Sequence, residues 1–575
     1  MRAKAPRRTR TSRSLQWRVL WVVTSLLVVS SSAGLLWLGA RGEIPSSLLV
    51  TTDDGLIASA VGAQTPSVTP TPVAGGRYTE GLIGLPSTLN PLLASTPSER
   101  DVTRLLFEGL TWVDGTGQPQ PELAESWTAS DDGLRYTFRL RRNVTWHDGQ
   151  PFTASDVLFT VRLVQSPGFP GNPALVMFWR GVRVDIEDPH TVVFTLLEPF
   201  APFPNYASLP ILPAHRLHGV LAEDLAMDPF SLDPVGTGPF RLVSFSHTER
   251  MVLLARYEDY WARQPYLDEV QFRFYDSVEE LLSAFRNKEI DSAGVLPWEV
   301  VARGTDLGAD ARIYAPLLAG MTALFLNQQT QFFSDLRVRQ AILLGVDRES
   351  LVRQVFQGQA EPGAGPIPIS LWAFHAPVPP ADRERARELL QAAGWSDTNG
   401  DGILDSGGVA FRFTLFVNQD DAQRVAVANV VASQLSLLGI EATVQPVPPA
   451  TLREALLERQ YSAAVFGWVP MVGDPDCFEL WHSSQADNGL NVSGLRNQTV
   501  DTLLLQARRT TDQQQRRSLY VEFQRVFVEL APAVVLYYPR YFFAVRGNIG
   551  GVQPVPMIQP SDRLHWVPEW YKISE

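Results

Sequence analysis

One cysteine, Cys477, occurs in the 575 residues. An intramolecular disulfide and a cysteine-clustered zinc site are therefore excluded. Of the eight histidines, His147 and His482 invite a metal or catalytic reading, but neither has a second histidine at ligand spacing or an HExxH around it. His147 follows Trp146 and is expected to pack at a turn. A GxSxG elbow and a nucleotide fingerprint are missing too. The Gly236-Thr237-Gly238 turn lacks the Lys-Ser/Thr ending of a phosphate-binding loop. The net charge is −12, and the seven basic side chains within residues 1–18 leave −19 on the remainder. An acidic body of that kind argues against nucleic acid as a partner.

Charged side chains are also absent from Val19 to Ala40, a run rich in Leu, Val and Trp. At 1.5 Å per residue it is long enough to span a bilayer. The basic residues before it predict a cytoplasmic N-terminus with the body outside. A cleaved signal peptide is the rival reading, although Leu38 stands where a small residue would be wanted. Residues 41–76 carry Pro, Thr and Ser without periodicity and read as an extended tether.

The body is too long for one core, so at least two lobes are expected. Tyr136, Phe138 and Leu140 alternate with Arg135, Thr137 and Arg139, which predicts a strand with one buried face. Thr153 and Asp156 predict a capping box, and Ser277 with Glu280 another helix start. Val270, Phe272 and Phe274 predict a strand. Met321 to Asn327 is short and apolar enough for a buried strand crossing between lobes. Asp335, Asp347 and Asp382 are placed to cap helices, and Phe411 to Val417 alternates as a strand. The αβ alternation runs to Tyr538.

Three stretches carry a resemblance. Phe107 to Val157, Val235 to Trp261, and the run from Phe325 to Ala360 are similar to signature regions of the extracellular solute-binding proteins of family 5. These are the oligopeptide, dipeptide and nickel receptors of ABC importers. The resemblance implies an α/β, two-lobed periplasmic-binding-protein-like fold with hinge strands and a small domain inserted in the first lobe. The expected boundaries are a basic cytoplasmic segment 1–18, an anchor or signal 19–40, and a tether 41–76. The first lobe takes 77–110, 195–318 and 537–575, the inserted domain 111–194, and the second lobe 319–536. The function implied is a receptor, with no catalytic residue, that captures a peptide or peptide-like solute outside the membrane. It would deliver that solute to ABC permease subunits with cytoplasmic ATPases, as a monomer. Nickel chelates, sugars and opines stay open as ligands, and a membrane-anchored extracellular hydrolase is the alternative class. Many members are attached through a cysteine just after the signal, and here none lies near.

The resemblance also places ligand contacts. Asn90 lies in a segment, Gly84 to Leu93, that lines the first lobe's cleft in the family. In Tyr461 to Cys477, Gly467 and Trp468 precede the position where peptide receptors carry an Asp that pairs with the peptide's amino terminus. Here that position is Met471. Asp474 is the next acidic residue, so the amine anchor is either moved there or lost, and a plain loop or cap role competes. Trp468 is either cleft lining or core. Tyr537 and Tyr538 are also implied in the cleft, and strand alternation lets only one face it squarely, with Tyr538 chosen. Independently of the resemblance, Asp397, Asn399, Asp401 and Asp405 stand at positions one, three, five and nine of a loop, with Ile403 at seven. This spacing suits a hard cation such as a structural calcium. Position twelve is Gly408, so the bidentate Glu is absent, and an Asx-rich turn held by its own hydrogen bonds competes. No other cofactor is expected.

Overall fold

A computed structural model describes residues 72–470 and 472–573. The expected anchor, most of the tether, and Met471 lie outside the described residues. Among the described residues no helix is long and apolar enough to cross a membrane.

Two sheets organise the chain. The first has the spatial order Ala311–Tyr314, Phe543–Arg546, Ser292–Ala293, Arg77–Ile83, Glu269–Tyr275, Met251–Arg256, Phe240–Ser246. Strand Arg77–Ile83 runs parallel to both Glu269–Tyr275 and Ser292–Ala293. Val270, Phe272 and Phe274 bury one face, as their alternation predicts. The second sheet has the order Glu361–Pro362, Ala533–Tyr538, Met321–Leu326, Ala463–Trp468, Arg412–Asn418, Glu441–Val447. Met321–Leu326 is buried along its whole length, because strands flank it on both sides and helices cover both faces.

A smaller antiparallel sheet, Ala124–Ala129, Arg135–Leu140, Thr191–Thr195, Arg183–Asp188, forms the insert. Tyr136, Phe138 and Leu140 are buried while Arg135 and Arg139 are exposed. Helix Ala154–Gln165 follows, with the Thr153–Asp156 capping box formed. The insert's core reaches further than position 194: Phe203 packs in tilted and edge-on contacts with Tyr136, Phe138, Trp179 and Phe194. Two of the sequence signatures also meet here. Tyr260 Oη and Trp261 Nε1 donate to the two oxygens of Glu108 at 2.7 and 2.9 Å. Burial pushes the Glu108 carboxyl up to about 7 against those bonds.

The chain passes between the two sheets twice, from Tyr314 to Met321 and from Tyr538 to Phe543. The second crossing starts later than the sequence suggests. Tyr537 and Tyr538 pair with Pro362 and Glu361, and Tyr537 also pairs with Thr322, so both residues belong to the second sheet. Apolar packing continues across the crossings. Trp298 of the first lobe packs on Phe356 and Phe542 and donates through Nε1 to Val355 O at 3.0 Å.

Candidate functional site

Both crossings leave the sheets at equivalent edges. Strand Arg412–Asn418 runs parallel to Glu441–Val447 and Ala463–Trp468, so Asn418, Val447 and Trp468 end together. Met321 pairs with Trp468, which puts the first crossing at that same edge. In the first sheet Ile83, Tyr275 and Ala293 end together, at the edge from which Tyr314 departs. The carboxyl ends of parallel strands are where open α/β sheets leave room for ligands. The cleft between these two edges is the candidate site.

On the first side, Gly84 turns the chain with a φ of +83° and the loop returns through Asn90. Asn90 is fully buried, and its Oδ1 accepts from Leu92 N at 3.1 Å. Its Nδ2 has no hydrogen-bond partner among the described residues. A buried donor without a partner costs about 1–3 kcal/mol, which makes Asn90 a polar group suited to a ligand or a water.

On the second side, strand Ala463–Trp468 brings Gly467 beneath the Arg424 guanidinium. A Cβ at Gly467 would stand 2.1 Å from Arg424 Nη2, so only glycine lets the guanidinium lie there. Arg424 pairs with Asp421 at 2.8 Å and reaches Thr322 Oγ1 at 3.4 Å. With Arg453, Asn418 and Phe466 it borders a cavity of about 30 Å³ at the sheet's carboxyl edge. Trp468 is 9% exposed and belongs to the apolar cluster that holds Phe325 and Trp481. Its ring is therefore mostly a foundation under the cleft.

Asp474 is engaged within its own lobe. It accepts from Arg516 Nη2 at 2.8 Å and Nη1 at 3.1 Å, and both side chains are buried. Burial pushes the Asp474 carboxyl up, and Arg516 opposes that rise. Tyr538 is buried, with its hydroxyl donating to Gly365 O at 2.8 Å and accepting from Ala364 N at 3.2 Å. Tyr537 points to the other face and packs on Phe356 at 4.5 Å. Alternation separates the two tyrosines as expected, but both rings are in core.

The Asp397–Asp405 loop bonds to itself. Asp397 accepts from Gly400 N at 2.7 Å and Gly402 N at 3.0 Å. Asn399 accepts from Asp401 N at 2.9 Å, and Asp401 from Ile403 N at 2.8 Å. Asp405 takes the Thr398 hydroxyl at 2.7 and 2.8 Å. Among the described residues no group of three or more His, Cys, Asp or Glu side chains is placed to hold a metal ion. His147 is used structurally. Its Nδ1 accepts from Gly236 N at 3.1 Å and its Nε2 donates to Gly238 O at 3.0 Å. Burial pulls its pKa down to about 4, so the neutral ring pins the Gly-Thr-Gly turn.

The sequence reading missed Arg424, Arg453 and Arg516. Each is an ordinary helix arginine by spacing; for Arg424 and Arg453 the only signal was charge early in a helix that follows a strand, and for Arg516, whose helix follows another helix, there was none. It missed Asn205 as well, which no pattern marks.

A body built on two sheets, with two crossings and facing carboxyl edges, is the form of a two-lobed solute-binding receptor. Comparison with known proteins agrees. The family model for bacterial extracellular solute-binding proteins, family 5, matches residues 118–489. The chain belongs to that family. Its members are binding proteins rather than enzymes, with the body on the extracytoplasmic side. The chain is 30% identical over 509 residues to the oligopeptide-binding protein AppA of Bacillus subtilis, covering 87% of this chain and 92% of the relative. The structure of AppA in complex with a nonapeptide superposes with a TM-score of 0.66 at 29% identity, over 88% of this chain and 100% of AppA. NikZ from Campylobacter jejuni in complex with Ni(L-His) gives a TM-score of 0.69 at 25% identity, over 86% and 99%.

Proposed function

We propose that the captured solute is a peptide or peptide-like molecule, delivered to an ABC permease with cytoplasmic ATPases. The observation that carries this reading is the pair of carboxyl edges facing each other across two crossings, in a chain 30% identical to an oligopeptide-binding protein. Closure about the crossings would bury the ligand between the edges.

The ligand's amino end is held differently from the pattern that peptide receptors show. Met471 carries no charge, and Asp474 is committed to Arg516. Recruiting Asp474 for an ammonium would strand a buried guanidinium, which costs more than a surface pair returns. Arg424 and Arg453 instead offer cations to a ligand carboxylate, beside Gly467. Asn90 Nδ2 supplies a donor from the first lobe. Trp468 supports this surface from below, and Tyr538 acts indirectly by fixing the 364–365 backbone.

The apolar run Val19 to Ala40 anchors the monomeric body to the membrane, and the residues after it serve as its tether, which ends before the expected position 76 because Gly75 and Gly76 already bond to Tyr266 and Asp268 of the body. The Asp397–Asp405 loop is a self-bonded turn whose oxygens already have partners. Its melting temperature should not change on adding calcium or a chelator, and a rise of several degrees with calcium would restore the ion reading.

Native mass spectrometry of the purified protein, followed by denaturing extraction, tests the cargo. An intact peptide released on denaturation is expected. A released metal chelate, sugar or opine would replace the peptide reading. Steady cleavage of added peptide by hydrolase-free protein would overturn the receptor.

A further inference from the structure

The segment that follows Trp468 is held by the other lobe as well as by its own. Asn205, 2% exposed and at the exit from the inserted domain, donates through Nδ2 to two carbonyls. One is Gly117 O at 3.0 Å, on its own side. The other is Val472 O at 3.1 Å, across the boundary. Two carbonyls accept only from the amide nitrogen, so the orientation of the side chain is determined.

Four further contacts surround this bond. Trp372 N donates to Thr116 O at 2.9 Å, and Ala201 N to Arg508 O at 2.7 Å. Gly117 and Gly473 meet backbone to backbone, with φ of +84° and +74°. A Cβ on Gly117 would lie 2.3 Å from Gly473 O, so the approach depends on Gly117 lacking a side chain, while a Cβ on Gly473 would meet Ile558 at 2.8 Å and Val113 at 2.9 Å. Arg508 stacks on Phe478 at 4.0 Å, lies 5.4 Å from Phe200 of the first side, and pairs with Asp476 at 2.7 Å. The two lobes therefore have a third, non-covalent junction beside the two chain crossings. It grips the backbone that continues from strand Ala463–Trp468 into the cleft.

We propose that Asn205 is a positioning residue for solute binding. Without touching the solute, it fixes the Val472 carbonyl to the inserted domain and so sets the course of residues 472–474, which follow strand Ala463–Trp468. The inserted domain is then part of the binding apparatus. Solute affinity includes the free energy of holding this segment in its competent course, and losing the clasp lowers the competent fraction and with it the apparent affinity. This inference rests on the receptor reading and on the cleft lying at the carboxyl edge of that strand.

Gln165 supplies a matched control. Its Nε2 also donates to two carbonyls, Trp179 O and Val182 O, each at 2.7 Å, but both lie inside the inserted domain. Full-length Asn205→Ala and Gln165→Ala would be compared with the parent in two measurements. The first is calorimetric binding of a synthetic pool of tripeptides to nonapeptides. The second is hydrogen exchange of the 472–476 amides in ligand-free protein. Asn205→Ala should bind about tenfold more weakly and lose protection at 472–476, while Gln165→Ala loses comparable thermal stability and keeps both. Unchanged affinity and protection in Asn205→Ala would overturn the proposal, as would an equal loss of affinity in Gln165→Ala. If the parent binds nothing in the pool, the peptide reading fails by itself. The exchange comparison still decides the clasp, because unchanged protection in Asn205→Ala refutes it.

Discussion

Arg563 of the first lobe and Arg516 of the second are each buried against buried carboxylate, and the two sites are built to different plans. In the first lobe Arg563 meets Glu80 at 2.7 Å and Asp101 at 2.7 and 3.0 Å, with all three side chains no more than 3% exposed. The Tyr78 hydroxyl donates to the free side of Glu80. In the second lobe Arg516 meets one carboxylate, Asp474. Its remaining donors go to Ala507 O at 2.9 Å and the Tyr520 hydroxyl at 3.3 Å. The first group ties together the opening strand, helix Pro97–Leu106 and the C-terminal segment. The second ties helix Gln513–Leu530 to the loop that leaves Trp468. A buried pair returns little net stability, because desolvation consumes most of the attraction, yet removing one partner is expensive. The same chemistry therefore fastens the ends of the chain in one lobe and fixes a functional loop in the other.

The largest effect expected is from Arg563→Met, which leaves two buried carboxylates with no cation. A loss of roughly 3–5 kcal/mol is expected. Arg516→Met strands a single carboxylate and should fall at or below the lower end of that range. Urea denaturation of both variants measures the difference. Solute affinity of the folded protein should fall for Arg516→Met and hold for Arg563→Met. The contrast collapses if the two are equally destabilised or if affinity follows the reverse order.

Acid should separate the lobes next. Neutral His147 accepts from Gly236 N, and its folded pKa of about 4 lies below the usual histidine value of about 6.5. The unfolded chain binds the proton more readily, so stability falls as pH drops from about 6.5 to about 4, by on the order of 3 kcal/mol. His482 of the second lobe is also lowered by burial but pairs loosely with Asp501 at 3.9 Å, which favours its charged form. Hydrogen exchange between pH 7 and 4 should therefore open residues 144–150 and 235–239 before 478–485. Simultaneous opening would erase this distinction between the lobes.

What could be read beforehand follows from distance along the chain. The Tyr136-Phe138-Leu140 alternation and the Thr153–Asp156 and Ser277 caps involve neighbours within four residues, and each forms as expected. Chain length likewise implied at least two lobes, and the αβ alternation their class. Partners far apart were not legible. Asp474 finds Arg516 42 residues away, and Asn205 finds Val472 267 residues away. Nothing local distinguishes those arginine and asparagine side chains from solvated ones. Tyr537 and Tyr538 show a different limit. Their pattern identified a buried strand, but period two carries no information about which sheet the strand joins.

The hydroxyls beside the two buried arginines offer the finest version of the contrast. Tyr78 donates to Glu80, a charged acceptor shared with Arg563, in a site closed to water. Tyr520 accepts from Arg516 at 3.3 Å, a long contact to a guanidinium that already has Asp474 and a backbone carbonyl. Hydrogen bonds to charged groups contribute about 1.5–3 kcal/mol, and long ones with competing partners much less. Phenylalanine keeps the ring in either place, including the edge contact of Tyr78 with Trp570 at 5.2 Å, so little packing is lost. Tyr78→Phe should therefore lose about 2 kcal/mol and Tyr520→Phe less than about 1 kcal/mol by urea denaturation. Equal losses would mean that the Glu80 site is open enough for water to replace the hydroxyl, and the first lobe's charge cluster would then be no tighter than the second's.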